Sequence, residues 1–181
     1  VTKKEQNDKK CPVWNEINFS LKFANKYPQH FMSLIDYSFE ENCQYIKLSW
    51  ELDEPMGAWG DKLVAEYKKR IAEKICIYKI YTRMDTILNK IVNELSHLQL
   101  YSMLIQVSYA IRLLHKHNYI HGDLHPGNVG VMKTGLKAKI KLGKNTIPTY
   151  GYQYKLIDFG MTLNKKDAIT KYDKERFSRE N

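Results

Sequence analysis

The sequence predicts an α+β fold, with a short helix and two strands first, a run of helices next, and two more strands last. Three observations carry this. Apolar residues recur at helical spacing near the start of the chain and again, for longer, in its middle. Between those stretches, "HFMSLIDYSFEENCQYIKLSWEL" has the composition of paired strands. After them, "VGVMK" and "YKLIDFG" are short apolar runs of strand length.

The elements follow in order. Residues 1–10, "VTKKEQNDKK", are polar and read as a loop or frayed start. Trp14, Ile17, Leu21 and Ala24 then mark one face of a short amphipathic helix, which Tyr27-Pro28 ends. The two strands after it turn at Glu40-Glu41-Asn42, and "DEPMGAWG" breaks the pattern. Three helical stripes follow: Leu63, Tyr67, Ile71, Ile75 and Tyr78; then Met84, Ile87, Ile91 and Leu95; then Leu100, Leu104, Val107, Ile111 and Leu114. The last stripe ends near Asn118 and leads into "YIHGDLHPGNVG". From Val129 to Ile157 there are six lysines and no acid, which predicts a basic hairpin extension between the final strands.

Composition narrows the classes. A chain of 181 residues makes one domain or a piece of a larger one, and 43% apolar residues with 13 Tyr, 6 Phe and 3 Trp argue against disorder. The net charge of +9 suits an acidic partner, and the Lys133–Lys155 segment is where one would dock. The three cysteines, Cys11, Cys43 and Cys76, are odd in number and form no C-x-x-C pair. They predict neither a disulfide framework nor a zinc site, and so an intracellular, reducing setting. No apolar run approaches the ~18 residues of a membrane span, no signal peptide is visible, and no specific nucleic-acid motif occurs. The start at Val1 reads as a processed product or fragment.

The chemistry concentrates in two places. Asp123 and Asn128 lie five residues apart on a Gly/Pro-rich loop, and Asp158 follows thirty residues after Asn128, just past an apolar strand. Two carboxylates and an amide are the oxygen donors that Mg²⁺ prefers. A metal on a triphosphate needs only one or two protein carboxylates, which leaves a third group to act as base or orienter. Phosphoryl transfer asks for that set, since its catalysis is positioning and charge neutralisation.

"HGDLHPGN" and "IDFG" together resemble the catalytic loop and the metal-binding motif of the protein kinase superfamily. The resemblance implies a two-lobe fold incomplete at both ends, with a partial N-lobe at 1–56 and a partial C-lobe at 57–181. It implies ATP and Mg²⁺ as cofactors and a protein substrate. Asp123 would take or orient the hydroxyl proton, Asn128 and Asp158 would hold the metals, His121 would support the loop, and Asp158, Phe159 and Gly160 would form the nucleotide-side turn. The resemblance covers about residues 11–165. In it Glu16 is the helix glutamate that pairs with a nucleotide-binding lysine, residues 48–56 are the hinge, and Leu98–His117 is the helix before the loop.

The chain departs from the family pattern in several places. No G-x-G-x-x-G occurs, Lys3 and Lys4 are the only lysine candidates for Glu16, and no A-P-E follows "DFG". Gly122 replaces the usual Arg, and His125 stands where Ser/Thr kinases carry a lysine that contacts the transferred phosphate. "HGDLHPGN" also resembles the loop of kinase-like small-molecule phosphotransferases, whereas the intact "IDFG" favours a protein kinase, and the leading expectation is one of Ser/Thr type. A kinase-fold binding or structural protein is the remaining alternative. The wealth of Lys, Asn, Ile and Tyr resembles divergent kinases of large DNA viruses, some of them packaged in virions.

Overall fold

The computed structural model describes residues 12–41 and 75–164. Their backbone contacts divide them into two compact units. One contains Asp36–Glu41 and Ile75–Ile80, and the other contains Pro12–Ile35 and Tyr81–Asn164. The expected lobe boundary at residue 56 lies outside the described residues. The first helix packs into the same unit as the Asp123–Asn128 loop because its aromatic face is buried there.

Strands β1 (Leu34–Glu41) and β2 (Ile75–Tyr81) pair with each other. This corrects the helix expected through Ile75 and Tyr78. "ICIYKIY" satisfies both periods, because Ile75 and Tyr78 are three apart while β-branched and aromatic residues also recur at strand spacing. Pairing with β1 decides for the strand. The strand expected to follow the Glu40-Glu41-Asn42 turn, the stripe starting at Leu63, and the hinge at 48–56 lie outside the described residues. Cys76 on β2 is disulfide-bonded, where the cysteine spacing predicted no disulfide framework; its partner lies outside the described residues.

The larger unit is built on helix α1 (Pro12–Lys22) and helix α3 (His97–Lys116), with a three-stranded sheet beside them. In α1, Ile17, Phe19 and Ser20 are buried, as are Phe23 and Ala24 just beyond it. Leu21, expected on the buried stripe, is 45% exposed. The helix turns a face of Ile17, Ser20 and Ala24 inward, with Phe19 and Phe23 stacking at 5.1 Å along its edge.

Between β2 and α3 the expected helix of Met84, Ile87, Ile91 and Leu95 is mostly replaced. Thr86–Ile87 forms β3, and only Leu88–Ile91 closes an α-helical turn, α2, before a 3₁₀ turn at Val92–Glu94. Strand β3 pairs antiparallel with β5 (Val129–Lys133), Thr86 opposite Val131, and the Asp85 amide donates to the Val131 carbonyl. These sheet bonds take the backbone groups that a helix would have used.

Helix α3 begins as its sequence indicates. Ser96 and Gln99 form a reciprocal capping box, and His115 and Lys116 lie in the last turn, where cations suit the helix dipole. Asn118 ends it in the left-handed conformation, φ 62°. Its buried face is Ser102, Gln106, Ala110 and Leu114, while Leu104 is 59% exposed. Gln106 explains the polar stripe. Its amide Nε2 donates to the Tyr152 carbonyl and its Oε1 accepts from the Tyr154 amide, so the side chain acts as an extra strand edge for β8 (Tyr152–Leu156).

Strands β5 and β8 run antiparallel through five pairs, from Val129↔Leu156 to Lys133↔Tyr152. Residues 30–32 add a parallel edge to β8: the Met32 amide donates to the Leu156 carbonyl, and the Leu156 amide to the His30 carbonyl. Between β5 and β8 the chain forms the expected hairpin, β6 (Lys139–Leu142) and β7 (Asn145–Pro148). Ile140 and Leu142 point inward, and Lys139 and Lys141 face solvent. Burial, with the charge of Lys155 nearby, pushes the imidazole of His30 down to about 4. Among the described residues no helix is long and apolar enough to cross a membrane.

Replacing Gln106 with Leu strands the Tyr154 amide and the Tyr152 carbonyl. It should cost on the order of 3 kcal/mol in urea unfolding, with an unchanged m-value.

Candidate active site

Helix α3 hands the chain to β4 (Tyr119–Ile120), which pairs with β9 (Leu163–Asn164), Tyr119 opposite Asn164. This short pairing anchors both ends of the candidate site, since the loop begins after Ile120 and the Asp158 segment ends before Leu163. The loop then tightens into a 3₁₀ turn at Pro126–Asn128, with Pro126 at its first position. Nδ1 of His125 accepts from the Gly127 amide at 3.1 Å, and the Asn128 amide donates to the His125 carbonyl at 2.8 Å. A Cβ on Gly127 would crowd the His125 ring, so a glycine there lets the imidazole cap the turn.

Asp123 and Asn128 meet directly. Nδ2 of Asn128 donates to the Asp123 carbonyl at 2.8 Å and to Oδ2 of its carboxylate at 3.1 Å. Nε2 of His125 lies 3.7 Å from the same Oδ2. Asn128 is buried, whereas Asp123 and His125 are exposed. The amide therefore holds the carboxylate from below and leaves it open to solvent.

Past β8, the Ile157 amide donates to the Asn128 carbonyl at 3.0 Å, which places Asp158 one residue from the loop. Asp158 takes the left-handed conformation, φ 59°, uncommon outside glycine, and its Oδ1 accepts from the Gly160 amide at 3.3 Å. Phe159 is fully buried, stacked on Phe19 at 4.7 Å and near His121 at 5.7 Å. Burying that ring swings the preceding carboxylate outward, so strain at Asp158 and packing at Phe159 go together.

His121 supports the loop, as the sequence implied. Its Nε2 donates to the Ile157 carbonyl at 3.0 Å, and Thr162 Oγ1 donates to the His121 carbonyl at 3.5 Å. Burial holds its imidazole below the usual histidine range, against the opposing pull of the Ile157 carbonyl and the Asp158 and Asp123 charges. The ring is a neutral strut. Gly122 beside it has φ 82°, and a Cβ there would collide with the Met161 carbonyl oxygen. An arginine does not fit this backbone.

The donor set suits a hard cation that brings its own ligands. Among the described residues no three His, Cys, Asp or Glu side chains converge on a metal position. Two exposed carboxylates remain, with the Oδ1 of Asn128, whose Nδ2 is already committed to Asp123. Phosphate oxygens and water would complete such a shell. Asn128 and Asp158 are the residues that could hold the metal.

Glu16 sits elsewhere in the same unit. Its Oε1 accepts from the Tyr81 hydroxyl at 2.5 Å, at the end of β2. Burial first, then the Glu16 hydrogen bond and charge, keeps the Tyr81 phenol well above its ordinary range. Sequence reasoning missed Tyr81 because the stripe containing Tyr78 read as helix. It also missed Phe19, three residues after Glu16, whose only signal was its aromatic character. Lys3 and Lys4 lie outside the described residues.

An exposed carboxylate cradled by an amide, and a second one turned outward by a buried phenylalanine, sit on a helix-loop-strand frame that is protein kinase-like. The profile of the protein tyrosine and serine/threonine kinase family matches residues 64–179, and the chain belongs to that family. Among solved structures it is similar to the yeast RNA Pol II CTD kinase CTDK-1 complex, with a TM-score of 0.50 and 15% identity. That match covers 84% of this chain, which spans 34% of the matched chain. No curated protein sequence matches.

Gly122→Ala puts a side chain against Met161 in a left-handed backbone. The variant should lose on the order of 2 kcal/mol by urea unfolding, and Gly122→Arg at least as much.

Proposed function

We propose that the chain carries the phosphoryl-transfer site of a protein kinase, one that moves the γ-phosphate of Mg-ATP to a Ser or Thr hydroxyl of a protein. The single observation behind this is the bond that joins the two motifs, from the Ile157 amide to the carbonyl of Asn128, the residue whose Nδ2 holds Asp123. That bond brings a base, an amide oxygen and a second carboxylate into one short stretch of backbone.

Each residue has one task in this reading. Asp123 receives or orients the proton of the acceptor hydroxyl through Oδ1, because Asn128 occupies its Oδ2. Asn128 and Asp158 offer oxygen to the metal, which neutralises phosphate charge as transfer proceeds. The Asp158–Gly160 turn fixes the direction of that carboxylate. His125, capped onto Gly127, stands beside Asp123 and can donate from Nε2 to a phosphate oxygen. Gly122 removes the arginine that would answer a phosphorylated activation segment, which supports a kinase without that switch.

The intact "IDFG" supports a protein acceptor over a small molecule. A second reading is a kinase-fold binding protein with little activity, in which the hydrogen bond from Tyr81 to Glu16 is structural.

The test is Asp123→Asn in the full-length protein, with labelled phosphate transfer to protein substrates as the readout. Transfer should fall about a hundredfold or more while a thermal shift with Mg-ATP persists. Wild-type turnover would overturn the assignment of the base. Absence of the shift in the wild type would favour the binding protein.

A further inference from the structure

The turn of the lysine-rich hairpin lies beside α3. With Gly143 against the Tyr109 hydroxyl, it closes over the C-terminal half of α3 and leaves a hollow of about 360 Å³ between them. Arg112 and Lys116 line it from the helix and Lys144 from the turn, and no carboxylate is among its lining residues. All three cations are exposed. Tyr109, Leu113 and Leu142 form its apolar part. Leu142 is buried, and Tyr109 is braced by His30, with the rings 4.9 Å apart.

We infer that this hollow is a docking site for an acidic segment of a partner protein, one that places carboxylate groups on Arg112, Lys116 and Lys144 and an apolar side chain against Tyr109 and Leu113. Charge complementarity selects the partner's sign, and a guanidinium gives the directional contact to an oxyanion that ammonium groups lack. The mixture of cations and aliphatic carbon favours a peptide. A hollow of this size holds a few side chains, not a length of duplex, and a nucleic-acid track would instead follow the outer lysines. This site is separate from the Asp123 loop, so it stands whether or not the chain transfers phosphate.

The test is fluorescence anisotropy on the full chain with a labelled Glu/Leu peptide, its uncharged Gln/Leu counterpart and a single-stranded oligonucleotide. The Glu/Leu peptide should bind, more weakly as salt rises from about 0.05 to 0.3 M, and the Gln/Leu peptide should not. Combining Arg112→Glu with Lys144→Glu should weaken binding about tenfold or more, ~1.4 kcal/mol. Lys139→Glu, on the solvent face of the same hairpin, should change it less than about twofold. Circular dichroism confirms folding, and Lys116→Glu alone repeats the test if the double variant does not fold. Equal weakening by Lys139→Glu, no binding by the wild type, or tighter binding of the oligonucleotide would each overturn the inference.

Discussion

The site depends on the register of β5 against β8. Five residue pairs fix Val129 opposite Leu156, and the next bond outward is the one from the Ile157 amide to the Asn128 carbonyl. Asn128 therefore ends the Asp123 loop where Asp158 begins its turn. A slip of one residue would turn every side chain of β8 to the other face and put Gln153 or Lys155 in the place of Tyr154. The register is held from a third side by Gln106, whose amide pairs with the backbone of Tyr152 and Tyr154. A buried glutamine is costly unless all its bonds are made, and here both ends of the amide are used, with Ser102 taking a further bond.

The same sheet explains why the carboxylates are exposed. Phe159 and Phe19 fill the core beside α1, and Leu156 and Phe31 fill it beside the parallel edge. With Phe159 inside, the left-handed turn at Asp158 has one direction to face. His121 bridges the two motifs from beneath by bonding the Ile157 carbonyl, and burial keeps it neutral. In the proposed reading stability and chemistry use different atoms of neighbouring residues. The backbone of Asn128 and Ile157 joins the strands, and Oδ1 of Asn128 and the Asp158 carboxylate would offer oxygen to the metal.

Much of this was legible from residue order. The Gly/Pro-rich loop with Asp123 and Asn128, the apolar strand before Asp158, and the alternating lysines of the hairpin each follow a local rule, and each element lies where that rule puts it. Helix α3 was legible too, through its apolar period and its end near Asn118, but of the expected stripe only Leu114 is fully buried. Leu104 and Leu100 promised a core stripe, yet Ser102 and Gln106 occupy it, because the backbone of β8 asks for polar partners that no helical pattern reveals. The strand Ile75–Tyr81 was misread because two periods coexist in it, and pairing with β1 decided between them. The bond from Tyr81 to Glu16 spans 65 positions and has no local signal. The disulfide at Cys76 was equally hidden, since cysteine spacing does not say which sulfurs meet.

The central claim is that the loop and the Asp158 turn form one unit because the strand ladder continues past its last regular pair. Amide hydrogen exchange at Ile157 tests it most directly. The Ile157 amide should exchange as slowly as those of Tyr154 and Leu156 inside β8, since it donates to the Asn128 carbonyl. Exchange at the rate of an exposed loop amide, with Tyr154 and Leu156 still protected, would show that the two motifs are not joined and would contradict the account.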